Sequence, residues 1–280
     1  MSPIPTENNQ ESSQVPPRGA SACIERQEAH EQLFEGITGF DNLVIKLDTV
    51  ERVLKKGYTA SSYLSPDHNI ITTTTMHDQK LQEWDWEREE QVVRSFKPDI
   101  HIPTDYPVYK EHSVAVRQQN IRDLLEGTVE MDKRLTNVRT QTLPLLKGVT
   151  AGEREIFYKF FDEMDYTICA FYCTQYFTEG PGISAVREDL LKIFGEAPDL
   201  EIFLIGLLSP KYLENLPPNV VGAAGGRKWR KEVGLRDEDI DLREMRSRSR
   251  QLASRIRSAV SSGQAPLEFW TSTSNIEVRN

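Results

Sequence analysis

Short apolar, β-branched runs recur along this chain, and each ends in a polar cluster before a stretch of helical periodicity begins. The clearest are residues 42–48, 68–76, 99–105, 142–148, 166–172, 200–206 and 219–222. Runs that are apolar throughout, rather than alternating, suit strands buried on both faces and so predict a parallel sheet. Strand and helix in steady alternation predict a closed or nearly closed (β/α)8-like barrel. Helices are expected over 49–56, 81–96, 114–126 with a further stretch to 135, 151–164, 184–194, 210–216 and from 237 or 239 to 260. Thr150 with Glu153 three residues on has capping-box spacing, and Ser209 followed by Pro210 suits a helix start.

The stretch 1–29 is rich in Pro, Ser, Gln, Asn and Glu and reads as a disordered tail. That places the barrel at 30–236 and a C-terminal helix and tail, packed on the barrel, at 237–280. The chain has 280 residues, enough for one barrel with tails. Its 38% hydrophobic and 28% charged content is that of a globular protein. No apolar stretch reaches membrane-spanning length and no signal-peptide pattern opens the chain, so no membrane partner and a cytoplasmic location are expected. The net charge of −9 argues against a generally basic surface for nucleic acid and leaves room for a local one. Cys23, Cys169 and Cys173 do not form a disulfide framework or a zinc pattern; Cys169 and Cys173 are expected in the core.

A β/α barrel presents its chemistry at the C-terminal ends of its strands. This chain puts Lys46, Asp48, Met76, His77, Asp78, Asp105, Tyr106, Lys147, Tyr172, Gln175 and Gly206 there. Carboxylates in such positions accept hydrogen bonds from a base or sugar, or act as general bases. Asp48, Asp78 and Asp105 are therefore the catalytic candidates. Lys46, His77, Tyr106, Lys147, Tyr172, Gln175 and Gly206 are the substrate-binding candidates. For Asp105 the alternative is a turn residue before Tyr106-Pro107. For Lys147 the alternatives are an ion pair with Asp105, a phosphate contact or a Schiff base. Gly225, Gly226, Arg227, Lys228, Trp229 and Arg230 combine small residues with cations at the last strand exit, a pattern that suits phosphate, with Trp229 able to stack on a base. The last helix carries Arg243, Arg246, Arg248, Arg250, Arg255 and Arg257, either as a solvated face or as a phosphate-contacting stripe. No dinucleotide, Walker or nucleophile-elbow fingerprint occurs, and neither a cofactor nor a resident metal is expected.

Phe96-Lys97-Pro98-Asp99-Ile100-His101-Ile102-Pro103-Thr104-Asp105 resembles the helix end, strand and base-recognising aspartate of the tRNA-guanine transglycosylase superfamily, whose members insert 7-deazaguanines into tRNA or DNA. Leu145-Leu146-Lys147-Gly148 followed by Glu153-Arg154 is similar to that family's strand ending in Gln-Gly, with Lys147 in place of Gln. Leu204-Ile205-Gly206-Leu207-Leu208-Ser209-Pro210 resembles its Gly-x-Gly-x-Pro strand exit. The resemblance implies a barrel that binds a purine in tRNA or DNA, with Asp105 on the base, and glycosyl exchange as the reaction. The family's zinc cluster is absent from this sequence, its Asp-Ser-Gly-Gly motif is replaced by Thr73-Thr74-Thr75-Met76, and no Asp lies between Gly222 and Gly225 where its nucleophile would stand. Asp48 or Asp78 would have to take that part. The alternatives are a non-catalytic nucleic-acid or partner-binding protein on the same scaffold, and a metal-dependent barrel hydrolase. Oligomeric state is left open.

Overall fold

The computed structural model describes residues 16–25, 39–64, 68–178, 182–235 and 241–262. Its strands are β1 (Gly19–Ile24), β2 (Asn42–Lys46), β3 (Asn69–Thr73), β4 (Ile100–Ile102), β5 (Gln141–Thr142), β6 (Ile168–Tyr172), β7 (Glu201–Ile205) and β8 (Val220–Gly225). Helices α1 (Leu47–Leu54), α2 (Ala60–Tyr63), α3 (Asp78–Leu81), α4 (Trp86–Phe96), α5 (Val114–Leu135), α6 (Ala151–Glu163), α7 (Gln175–Thr178), α8 (Ile183–Glu196), α9 (Pro210–Leu213), α10 (Arg227–Glu232) and α11 (Leu242–Ser262) connect or follow them.

All strand pairs are parallel, in the order β5-β4-β3-β2-β1-β8-β7-β6. The two edges of this curled sheet meet. Pro144 has no N–H to give, so the ladder to β4 ends with Leu143 donating to His101 O at 2.8 Å. The chain then turns to β6: Ala170 N–H donates to Pro144 O and Leu146 N–H to Ala170 O, each at 2.8 Å, around a Leu145–Ala170 bridge. The eight strands therefore follow one another round a β/α barrel in chain order, with the β5–β6 seam carried by this bridge rather than a full ladder. The barrel expected from the sequence is the fold observed.

Register decides which side chains face the barrel axis. His101 and Thr72 point outward, because the His101 ring meets Glu89 of α4 at 2.8 Å and Thr72 at 2.9 Å. Strand side chains alternate between faces. The paired rows on the other face run Cys23–Val44–Ile71–Ile100 and Lys46–Thr73–Ile102 on one side of the ring, and Ala224–Ile205–Tyr172 on the other. These line the interior, and Lys46 and Tyr172 end their strands at the mouth.

Strand β1 is a correction to the tail reading of 1–29. Its sequence, Gly-Ala-Ser-Ala-Cys-Ile, has little apolar bulk, yet Ala20 and Ala22 are fully buried where α11 packs on the sheet. The barrel thus begins at Gly19, and Cys23 belongs to it; residues 1–15 and 26–29 lie outside the described residues. Residues 81–96 are not one helix. Asp85 caps α4 by accepting the Arg88 N–H at 2.8 Å, which separates α4 from α3. The Thr150–Glu153 capping box at the start of α6 is present as read. On α11, Met245, Leu252 and Ile256 are buried, while Leu242 is exposed. The tail beyond 262 lies outside the described residues.

Candidate functional site

The mouth of the barrel is built from the strand exits. After β4, Pro103 ends the strand and Thr104 takes a left-handed conformation, φ 43°, unusual for a β-branched residue. Glu89 on α4 holds this turn by accepting the Thr104 N–H at 3.0 Å, while its carboxylate also meets His101 Nε2. Glu89, His101 and Thr72 are all buried, so the turn is fixed from behind by a satisfied polar chain. Asp105 emerges from it.

Asp105 pairs with Lys147 from the β5 exit, and Lys147 also donates to Tyr106 O at 2.6 Å. The Asp105 side chain is 6% exposed and that of Lys147 14%. Burial pushes the Asp105 carboxyl above its usual value; the Lys147 charge opposes this and the Asp78 carboxylate adds to it. Of the readings open for Lys147, the ion pair with Asp105 is the one formed. Asp78, at the start of α3, lies within electrostatic reach of Asp105 and accepts a hydrogen bond from Tyr109 Oη at 2.9 Å. Burial, then Asp78, holds the Tyr109 hydroxyl well above its ordinary range. Tyr172 closes the cluster from β6; burial raises its hydroxyl, with Asp105 and Cys23 as nearby contributors. Burial pushes the Cys23 thiol up to about 12, against the pull of the Lys46 ammonium. The Lys46 side chain makes no hydrogen bond or ion pair among the described residues. The mouth therefore gathers Asp78, Asp105, Tyr109, Lys147 and Tyr172, with Cys23 and Lys46 on the β1–β2 side.

Other candidates sit elsewhere. Asp48 is half-buried and bound by Lys80 and by Arg52 at 3.1 Å. Burial alone would raise its carboxyl, but Lys80 and Arg52 outweigh that and leave it below the usual range. It is an ion-pair anchor joining α1 to α3. His77 and Gln175 are exposed, Tyr106 is half-buried behind Asp105, and Gly206 turns the β7 exit with φ 107°. Among the phosphate candidates, Trp229 is a correction: it is fully buried and its indole N–H donates to Cys23 O at 2.9 Å, so it presents no face to a base. Gly225 is buried within β8, where a side chain would meet Leu208. Lys228 is paired with Glu232 at 2.5 Å, and Arg230 with Glu25. Arg227 is exposed and makes no ion pair among the described residues. On α11, Arg248 pairs with Glu244, Arg255 with Glu232, and Arg257 with Asp41, which favours a solvated, paired face over a free stripe.

Sequence reading missed Glu89, Tyr109 and Cys23. Tyr109 follows Asp105 by four residues in a loop that lacks periodicity, and Glu89 lies on the buried side of a charged helix. A cleft of about 400 Å³ lies at the opposite end of the barrel, lined by Asp132, Thr140, Thr142, Asp165 and Tyr166 among others. It faces the strand starts, away from the end where barrels carry chemistry. Among the described residues no cluster of three or more His, Cys, Asp or Glu could hold a metal ion, and no helix is long and apolar enough to cross a membrane. No protein-family model matches the chain, and no curated protein matches its sequence.

Chemically, the mouth offers two neighbouring carboxylates in unequal settings. Asp105 is enclosed and paired with an ammonium. Asp78 is half-exposed, with a tyrosine hydroxyl on one oxygen. Unequal environments are what separate acid from base or nucleophile in a carboxylate pair.

Proposed function

We propose that the barrel mouth binds a purine base of a nucleotide in nucleic acid and exchanges it at the glycosidic bond. The observation that carries this is the Asp78–Asp105 pair, set at neighbouring strand exits with Lys147 behind one carboxylate and Tyr109 on the other. Asp105 and the Lys147 ammonium supply an acceptor and a donor to the edge of the base, and Tyr172 stands on the β6 side of the mouth. Asp78 takes the place of the missing nucleophile in preference to Asp48, whose carboxylate is already held by two cations. Its oxygen bonds C1′ as the C1′–N bond breaks; the departing base keeps the electron pair and takes a proton from the Lys147 ammonium, while Asp105 stays a carboxylate. An incoming guanine or 7-deazaguanine then reverses the step. The resemblance of residues 96–105 to the transglycosylase strand supports this reading.

The test is incorporation of labelled guanine and 7-deazaguanine into tRNA and duplex DNA by wild type, Asp105→Asn and Asp78→Asn. Incorporation by wild type and at least a hundredfold loss in both variants is expected on the usual scale of general acid–base contributions, roughly 10²–10⁴. No incorporation on either polymer by folded wild type overturns base exchange. A second reading, binding without chemistry, draws on the Asp105–Lys147 pair, which already occupies the carboxylate.

A further inference from the structure

The last three strand exits carry a feature the mouth does not use. β6, β7 and β8 are neighbours in the sheet, and they lead into α7, α9 and α10. Their exits are packed against one another. A side-chain carbon on Gly206 would stand 2.8 Å from the Thr174 backbone nitrogen, and one on Gly225 would stand 2.8 Å from Leu208 Cβ. Glycine at both positions lets the three exits lie side by side as one continuous rim.

Two large aromatic side chains on this rim are exposed: Phe177 on α7, 41%, and Tyr212 on α9, 39%. Tyr176 next to Phe177 is fixed by its hydroxyl bond to Asp189 at 2.7 Å, and Leu213 next to Tyr212 is buried. Both exposed rings therefore sit on anchored turns. Exposed cations accompany them: Lys211, Arg227 and Lys231, none with an ion pair among the described residues. Several rim carboxylates are already engaged, Asp189 by Tyr176 and Lys192, Glu232 by Lys228 and Arg255, and Glu25 by Arg230. Glu214 at the end of α9 is an exposed countercharge. On a chain of net charge −9, cations without an ion pair among the described residues, set among exposed aromatic rings, form a local exception.

We propose that this rim is a track for single-stranded nucleic acid, with Phe177 and Tyr212 stacking on unpaired bases and Lys211, Arg227 and Lys231 meeting the phosphates. Rings with an open face accept any base, and cations spaced around them follow a backbone; a duplex hides its base faces from such rings. The track rests on the reading of the mouth only in that it would lead a strand toward it, and binding is measured without exchange, so the two readings fail separately.

Fluorescence anisotropy of short labelled single-stranded DNA and RNA oligonucleotides, over a series of salt concentrations, tests it. Wild type should bind with an affinity that falls steeply with salt. Changing Lys211, Arg227 and Lys231 together to Ala should flatten the slope of log K against log salt by about 2, since each phosphate contact on a single strand contributes about 0.7. Phe177→Ala and Tyr212→Ala should each weaken binding about tenfold and leave the slope unchanged, the signature of lost stacking. Lys159→Ala, an exposed residue of α6 away from the rim, serves as the control and should change nothing. Absence of saturable binding at low salt overturns the track. So does equal binding of duplex, indifference to both aromatic variants, or displacement by polyglutamate as readily as by unlabelled oligonucleotide, which would mark a general anion surface.

Discussion

The Asp105–Lys147 pair shows how one contact carries both stability and the proposed chemistry. Removing one partner of a buried pair leaves the other charge uncompensated, so Lys147→Met should cost about 3 kcal/mol at neutral pH. The pH dependence follows from the direction of the Asp105 shift. Burial leaves the carboxyl above its ordinary value of 3.8 even with Lys147 beside it. Such a group favours the folded state fully below its unfolded pKa, and that favour is lost as pH rises through the folded value. Without Lys147 the folded value rises further. Urea unfolding across pH should therefore show wild type and Lys147→Met converging in acid and separating toward neutrality; a pH-independent difference would refute the account. Both residues were legible in the sequence because each ends a strand-like run. Glu89 and Tyr109 were not, because a helix face and an irregular loop reach the same place only through the fold. Trp229 misled because its four charged neighbours in sequence say nothing of the carbonyl of β1 behind it.

At the scale of elements, the start of α6 joins local sequence to tertiary structure. Thr150 Oγ1 accepts the Glu153 N–H at 3.3 Å, and the Glu153 carboxylate accepts the Val149 and Thr150 N–H groups at 2.8 and 3.1 Å. The same carboxylate takes Arg117 of α5 at 2.8 Å, tying two helices at the mouth. Burial pushes the Glu153 carboxyl up, but the Arg117 and backbone bonds outweigh it and leave it below the usual range. A carboxyl lowered in the folded state stabilises above its unfolded pKa, and loses that effect as pH falls through the folded value. Glu153→Gln should thus destabilise at neutral pH by about 3 kcal/mol, the penalty for stranding buried Arg117, and the gap from wild type should narrow below pH 4.5. Thr150→Ala removes only the cap and should cost about 1 kcal/mol at either pH. Thermal melts of the two variants at pH 7 and pH 4 separate these effects. The capping box was readable because its spacing is local. The break between α3 and α4 was less so, since residues 81–96 hold no Gly or Pro to mark it.

For the whole molecule, the periodic apolar runs disclosed seven strands and the barrel, but neither β1 nor the seam. Strand β1 is made of small residues because α11 lies close against it, with Ala253, Ile256 and Ala259 of the helix buried there. Small side chains leave no hydrophobic signal, and a Gly-Ala-Ser-Ala string beside a polar tail reads as more tail. The seam rests on Pro144, whose effect appears only when β6 is already beside it. The position of β1 makes a decisive test of the architecture. It lies between β2 and β8, pairs with both, and receives the Trp229 indole on its Cys23 carbonyl. Removing residues 1–15 takes away polar chain and should leave the melting temperature within a few degrees of wild type. Removing residues 1–25 opens the ring along two ladders, exposes two edges that invite intermolecular pairing, and uncovers Trp229. That variant should lose its cooperative melt by circular dichroism, show the red-shifted fluorescence of an exposed indole, and aggregate. A cooperative, soluble truncation at residue 25 would mean that the barrel stands without its first strand, and that the ladders on either side of β1 contribute little to holding it closed.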